Sequence, residues 1–155
     1  MSLDIIINFV AVLSIIVGII SFFFGVANYN KQMNAQVFFQ YAMRYDEIMN
    51  SFPRSARIVR IKSSEALPKS SAELTICVLR YFNLCSEEYY LYESKYLSKK
   101  AWGVWKDEMI RTWRTPLFQR EWKKIVHEFD TYPEFQSLVK DSQEKKTMSR
   151  ETSVQ

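Results

Sequence analysis

The sequence predicts an all-α protein in which one N-terminal transmembrane helix is followed by a cytosolic helical bundle of four to six helices. Three observations predict it. The run from Ile5 to Ala27, IIINFVAVLSIIVGIISFFFGVA, holds no charged residue, and at about 23 residues it is long enough to cross a hydrocarbon core of roughly 30 Å. Helix breakers are scarce, with 3 Gly and 4 Pro in the whole chain, so the remainder has few places to turn. Its apolar residues recur at steps of three and four rather than two, the helical period.

The apolar run competes with one other reading, a cleavable signal peptide, because Gly25, Val26 and Ala27 form a small-x-small sequence before Asn28. A signal peptide begins with basic residues and has a shorter apolar stretch of roughly 7–15 residues, whereas Met1, Ser2, Leu3, Asp4 carries an acid and no base. An anchor is therefore the better reading. Lys31, Arg44, Arg54, Arg57, Arg60 and Lys62 all follow the span, and basic flanks stay on the cytoplasmic side. The expected location is a bacterial inner membrane, crossed once, with residues 1–30 as anchor, 31–140 as a cytoplasmic bundle and 141–155 as a disordered tail.

Within the span, Ala11, Ser14, Gly18, Ser21, Gly25 and Asn28 alternate steps of three and four, which aligns them on one stripe. Lipid gives helices no hydrophobic reason to pair, so close approach across small residues and hydrogen bonds from Ser or Asn hold membrane helices together. The stripe reads as an oligomer interface. With one span per chain it implies a homo-oligomer or another membrane protein, with lipid as the remaining partner.

After the span a first cytosolic helix continues through Met33, Val37, Tyr41, Tyr45, Ile48, Met49 and Phe52, and Pro53 ends it. Arg54 to Lys62 reads as a short helix with Arg54, Arg57 and Arg60 spaced by three, and SSEALPKSS as a loop. Ser70 with Glu73 forms a capping box opening a long helix to about Lys95. Ser98 caps a helix carrying Trp102, Trp105, Met109 and Trp113 on one face. Thr115 and Pro116 supply the N-cap and first-turn proline of the next, which runs to about Phe129. Thr131 and Glu134 flank Pro133 at the start of a last helix through about Val139. The rest, DSQEKKTMSRETSVQ, is polar and aperiodic.

Most catalytic layouts are excluded by arithmetic. One histidine and two cysteines cannot build a zinc cluster or the paired Glu-x-x-His motifs of a di-metal bundle. Two of the three glycines lie in the span, leaving no phosphate loop. No cofactor is predicted. Cys77 and Cys85 sit about 12 Å apart along one helix, too far to bridge, and read as small buried side chains. A net charge of +4, spread over several segments, suits an anionic inner leaflet better than nucleic acid.

Three constellations were weighed against plainer structural roles. Trp102, Trp105 and Trp113 could stack bases, but Trp at helical spacing beside Met109 reads as core. Glu88 falls on the shoulder of its helix beside Tyr81 and Tyr92, while Glu87 joins the polar face with Arg80 and Asn83. A carboxylate at that shoulder should find an arginine such as Arg44 or Arg111, since burial without a partner is costly. Arg120 and His127, seven apart on one helix, could act at a phosphate, the arginine stabilising charge and the histidine moving a proton. A surface histidine near a helix end is the plainer reading.

Two resemblances follow from these residues. RYDEIMNSFP, YFNLCSEEYYLY, the Trp102 to Trp105 stretch with the helix headed by Pro116, and YPEFQSLV resemble a diffuse family of small bacterial single-span proteins of unknown function with a helical cytoplasmic domain. That likeness covers Arg44 to Val139 and implies a fold and a membrane address, with no catalytic residue. More distantly, the layout, the small-residue stripe and Arg120 with His127 are similar to defence-associated membrane proteins that join one span to a degenerate HEPN-like helical domain and assemble as pores. The spacing of Arg120 and His127 resembles the loose Arg-His motif of HEPN ribonucleases, although Glu121 replaces the short polar residue preferred after the arginine. The reading that results is a protein acting by self-assembly or partner interaction, as a pore-forming or membrane-perturbing effector and not an enzyme. The alternative is a membrane-tethered HEPN-like ribonuclease with Arg120 and His127 as its catalytic pair.

Overall fold

A computed structural model describes residues 3–61 and 66–151. The chain is all-α, with no strand among the described residues: α1 Leu3–Ser51, α2 Arg54–Ile61, α3 Ala72–Glu93, α4 Lys99–Trp113, α5 Pro116–Ile125, a 3-10 turn Val126–Phe129, and α6 Pro133–Glu151. It divides into two compact units, Met1–Phe38 and Phe39–Gln155. The sequence predicts an anchor ending at residue 30, a limit set by apolar length, whereas compactness follows packing and places the division eight residues later.

The first unit is a single helical run. It is long and apolar enough to cross a membrane, and none of its most apolar window is buried. Ala11, Ser14, Gly18, Ser21, Gly25 and Asn28 are all exposed. A Cβ added at Gly18 or Gly25 would meet nothing within 4 Å. The Ser14 hydroxyl donates back to the Val10 carbonyl at 2.8 Å, the usual way a serine hides its polar group inside an apolar helix.

The second unit is built around α3. Val78, Tyr81, Phe82, Leu84 and Cys85 are buried on it, and α4, α5 and α6 bring Trp113, Leu117, Phe118, Trp122, Phe135 and Val139 against them. Phe82 lies at the centre, 4.4 Å from the Trp122 ring and stacked on Trp113 at 6.0 Å. Trp102 stacks on Tyr92 at 4.9 Å. Trp102, Met109 and Trp113 are core as predicted, and Trp105 is only partly covered. Cys77 and Cys85 are free and buried.

Local signals account for most boundaries. Ser98 accepts from the Ala101 amide, and Pro116 occupies the first turn of α5. Thr115 holds the N-cap position, but its hydroxyl donates to the Thr112 carbonyl and makes no cap. The α3 cap differs from expectation. Ser71, not Ser70, accepts from the Leu74 amide at 3.2 Å; Ser70 donates instead to Glu121 at 3.1 Å. α3 ends in a Schellman turn, with the Tyr96 amide on the Leu91 carbonyl and the Lys95 amide on that of Tyr92. Lys95 takes φ 63° there, the left-handed conformation that favours glycine.

The predicted tail also differs. α6 passes Val139 and continues to Glu151, because tertiary contacts extend it: the Ser142 carbonyl accepts from Arg114 Nε at 2.7 Å, and Gln143 donates to the Trp113 carbonyl. Residues 152–155, Lys62 at the end of the predicted short helix, and Ser63 to Glu65 in the predicted loop lie outside the described residues.

Candidate functional site

Inside the second unit, α1 residues 39–51, α3 and α4 leave a cavity of about 590 Å³ between them. Helical spacing supplies its walls. Tyr41 and Tyr45 stand one turn apart on α1, Tyr81, Cys85 and Glu88 follow steps of four and three on α3, and Glu108 and Met109 lie three and four residues after Trp105 on α4. Its volume falls in the range of small-molecule sites, and like them it is mostly apolar with a few polar groups.

An ion-pair framework surrounds it. Arg44 grips Glu87 with both terminal nitrogens, at 2.5 and 3.1 Å, and the Tyr41 hydroxyl donates to the same carboxylate at 3.2 Å. Those bonds, the Arg44 contacts first, hold the Glu87 carboxyl below its ordinary range against the upward push of partial burial. Arg60 and Arg111 both pair with Glu108. Arg60 also reaches the Tyr45 hydroxyl and, at 3.3 Å, that of Thr112, and Tyr45 donates to Glu108 at 3.2 Å. The guanidinium carbons of Arg44 and Arg60 lie 5.2 and 5.6 Å from the Tyr41 and Tyr45 ring centres.

Glu88 stands apart from this framework. Only 6% of it is exposed, yet among the described residues no hydrogen bond or ion pair holds its carboxyl. The arginine expected for it is taken: Arg44 by Glu87 and Arg111 by Glu108. One residue is about 100° of helix, which sends Glu87 toward Arg44 and Glu88 into the cavity. Burial pushes the Glu88 carboxyl up to about 8, with the Arg44 charge opposing and the Glu87 charge adding to the push. It is therefore a neutral acid at pH 7.

Two neighbours share that environment. The Tyr81 hydroxyl is wholly buried, with Thr112 and Cys85 as its polar neighbours. Burial, with Cys85 beside it, raises its pKa well above 10 despite a nearby Thr112 hydroxyl. The Cys85 thiol is likewise pushed far up by burial and then by the Glu88 charge, so it is no nucleophile, which would need the thiolate. The cavity therefore offers no thiolate. Among the described residues no cluster of His, Cys, Asp and Glu could hold a metal ion.

Arg120 and His127 lie elsewhere. Arg120 is committed to structure: Nε donates to Glu121 at 2.8 Å and Nη1 to the Pro68 carbonyl at 2.9 Å, while Nη2 is buried without a partner. Glu121 has no exposed surface. Burial pushes its carboxyl up, but bonds from Lys124, Thr75, Ser70 and Arg120 outweigh it and hold the group low. His127 projects from the 3-10 turn, two-thirds exposed, 3.2 Å from Glu128. No hydrogen bond or ion pair among the described residues joins it to Arg120.

The sequence flagged Glu88 on the shoulder of α3 but not its isolation, because Arg44 could not be assigned to Glu87 or Glu88 without the rotation of α1. Compared with family models, curated proteins and solved structures, the chain matches none.

Proposed function

We propose that the protein crosses a bacterial inner membrane once through the apolar half of α1, holds the second unit in the cytoplasm, and acts by self-association as a pore-forming or membrane-perturbing assembly. The carrying observation is the uncovered apolar run. From Ile6 to Val26 the large apolar side chains of α1 are exposed, and a contiguous surface of that kind needs lipid or another helix against it. Open space around Gly18 and Gly25 supports a partner helix approaching on the small-residue stripe. Catalysis at Arg120 is disfavoured by the bonds that occupy its guanidinium, and Cys85 and Glu88 offer no activated nucleophile.

Crosslinking in native membranes tests the reading. Gly18→Leu with Gly25→Leu should insert normally and lose the crosslinked species, because two isobutyl groups would keep helices apart. A double variant that crosslinks like the parent refutes the interface. A cysteine appended after Gln155 tests the topology, and should react with a membrane-impermeant maleimide only after the membrane is opened. Labelling in intact cells refutes the cytoplasmic placement.

A further inference from the structure

We infer that the cavity between α1 residues 39–51, α3 and α4 is a binding site for a small organic ammonium carried on an apolar body, with the ammonium seated against the Glu88 carboxylate among tyrosine and tryptophan rings. The observations that lead there are independent of the membrane reading. Glu88 is nineteen-twentieths covered, and among the described residues no hydrogen bond or ion pair holds its carboxyl, although a buried carboxyl is ordinarily paired. The Tyr81 ring lines the same cavity, with its hydroxyl wholly buried in the wall. One ligand fits both features, the ammonium pairing with Glu88 and its apolar body lying along the ring.

The walls favour a cation over other occupants. Tyr41 and Trp105 have ring centres 5.6 Å apart, and Tyr45 and Tyr81 6.3 Å apart. Arg44 and Arg60 already lie over the Tyr41 and Tyr45 rings, so rings of this wall accept a cation on a face, the means by which aromatic cages hold an organic ammonium. The charges sharing the surroundings of Glu88 are Arg44 and Glu87, which neutralise each other, Asp107, Glu108 and Arg111 of α4, and Arg60 of α2, which pairs with Glu108. The lining itself therefore gives no net attraction for an anion. A metal ion is not suited, for lack of a ligand cluster, whereas a volume of about 590 Å³ accommodates a molecule of aromatic-amine size.

Binding couples to a proton. At neutral pH Glu88 holds its proton, so an ammonium ion entering the site forms the ion pair as the Glu88 O–H bond breaks and the proton leaves to solvent. The test uses the full chain in detergent micelles, with calorimetry and tryptophan fluorescence, and three probes of one shape: phenethylammonium, uncharged phenethyl alcohol and anionic phenylacetate. Phenethylammonium should bind at least about tenfold tighter than either analogue, with close to one proton released at pH 6.5, read from the buffer dependence of the heat. Glu88→Gln should abolish that preference and the proton release while leaving the alcohol's weak binding unchanged. Tyr81→Phe, which keeps the ring, should bind the ammonium with the preference over phenylacetate intact. The inference is overturned by equal affinity for ammonium and alcohol, by preference for phenylacetate, by parental affinity in Glu88→Gln, or by no saturable binding of phenethylammonium.

Discussion

Replacing Glu88 by glutamine should make the second unit more stable at neutral pH and remove most of the pH dependence of its stability between pH 5 and 8. In the native state the carboxyl titrates near 8, and in the unfolded chain near 4.5. Below 4.5 both states hold the proton and stability does not depend on this group. From 4.5 to 8 only the native state holds it, so stability falls as pH rises, by about 1.4 kcal/mol per unit. Above 8 both have lost it. The full fall is roughly 5 kcal/mol, of which roughly 3 kcal/mol has accrued by pH 7. Glu87 and Glu121 are held low, so their contributions have the opposite sign and vanish only as pH drops through their native values, outside this window. The glutamine keeps the shape of the side chain and does not titrate. Urea unfolding of the full chain in micelles, followed by tryptophan fluorescence, reads the effect directly, because Trp102, Trp105, Trp113 and Trp122 all belong to the second unit. Parental stability that is flat or rising from pH 5 to 8, or a glutamine variant with the same slope as the parent, would refute the reasoning.

Other substitutions probe the remaining features. Lys95→Gly should raise unfolding free energy by about 1 kcal/mol in the same urea titration, since the left-handed backbone there strains a side chain and suits glycine. Arg120→Ala should lower it by about 2 kcal/mol, because it strips a charged donor from buried Glu121 and frees the Pro68 carbonyl; a variant with parental stability would show that the guanidinium is not structural. Phe82→Ala, which removes a ring in contact with five others, should cost about 3–5 kcal/mol. His127→Ala should leave both stability and self-association unchanged, and metal-free RNA cleavage by the purified chain that disappears in this variant would restore the ribonuclease reading.

Features written in neighbouring residues were legible from the sequence. The uncharged run, the break at Pro53, the cap at Ser98 and the proline at the head of α5 each depend on residues within a turn or two. Features decided across the bundle were not. Ser70 fits a capping box as well as Ser71 does, and loses the role because Glu121, fifty-one residues on, claims its hydroxyl. The polar sequence after Lys140 has no apolar period, yet Arg114 and Trp113 hold its first turn in place. The cavity is the extreme case. Each wall residue reads locally as ordinary helix packing, and only the relative rotation of α1, α3 and α4 decides that Glu87 takes the arginine while Glu88 takes none.

The ring of ion pairs around that cavity also sets a timetable for biosynthesis. Tyr45 meets Glu108, 63 residues later in the chain, and Arg44 meets Glu87, 43 residues later. At a ribosomal rate of roughly 5–20 residues per second, the α1 side of the site waits about 3–13 s for its last partner. During that interval Tyr41, Tyr45 and Ile48 emerge behind a run long and apolar enough to cross a membrane, with the helices that later cover them not yet made. The nascent chain thus exposes a sticky surface beside that apolar run, where a chaperone or a neighbouring nascent copy is best placed to reach it.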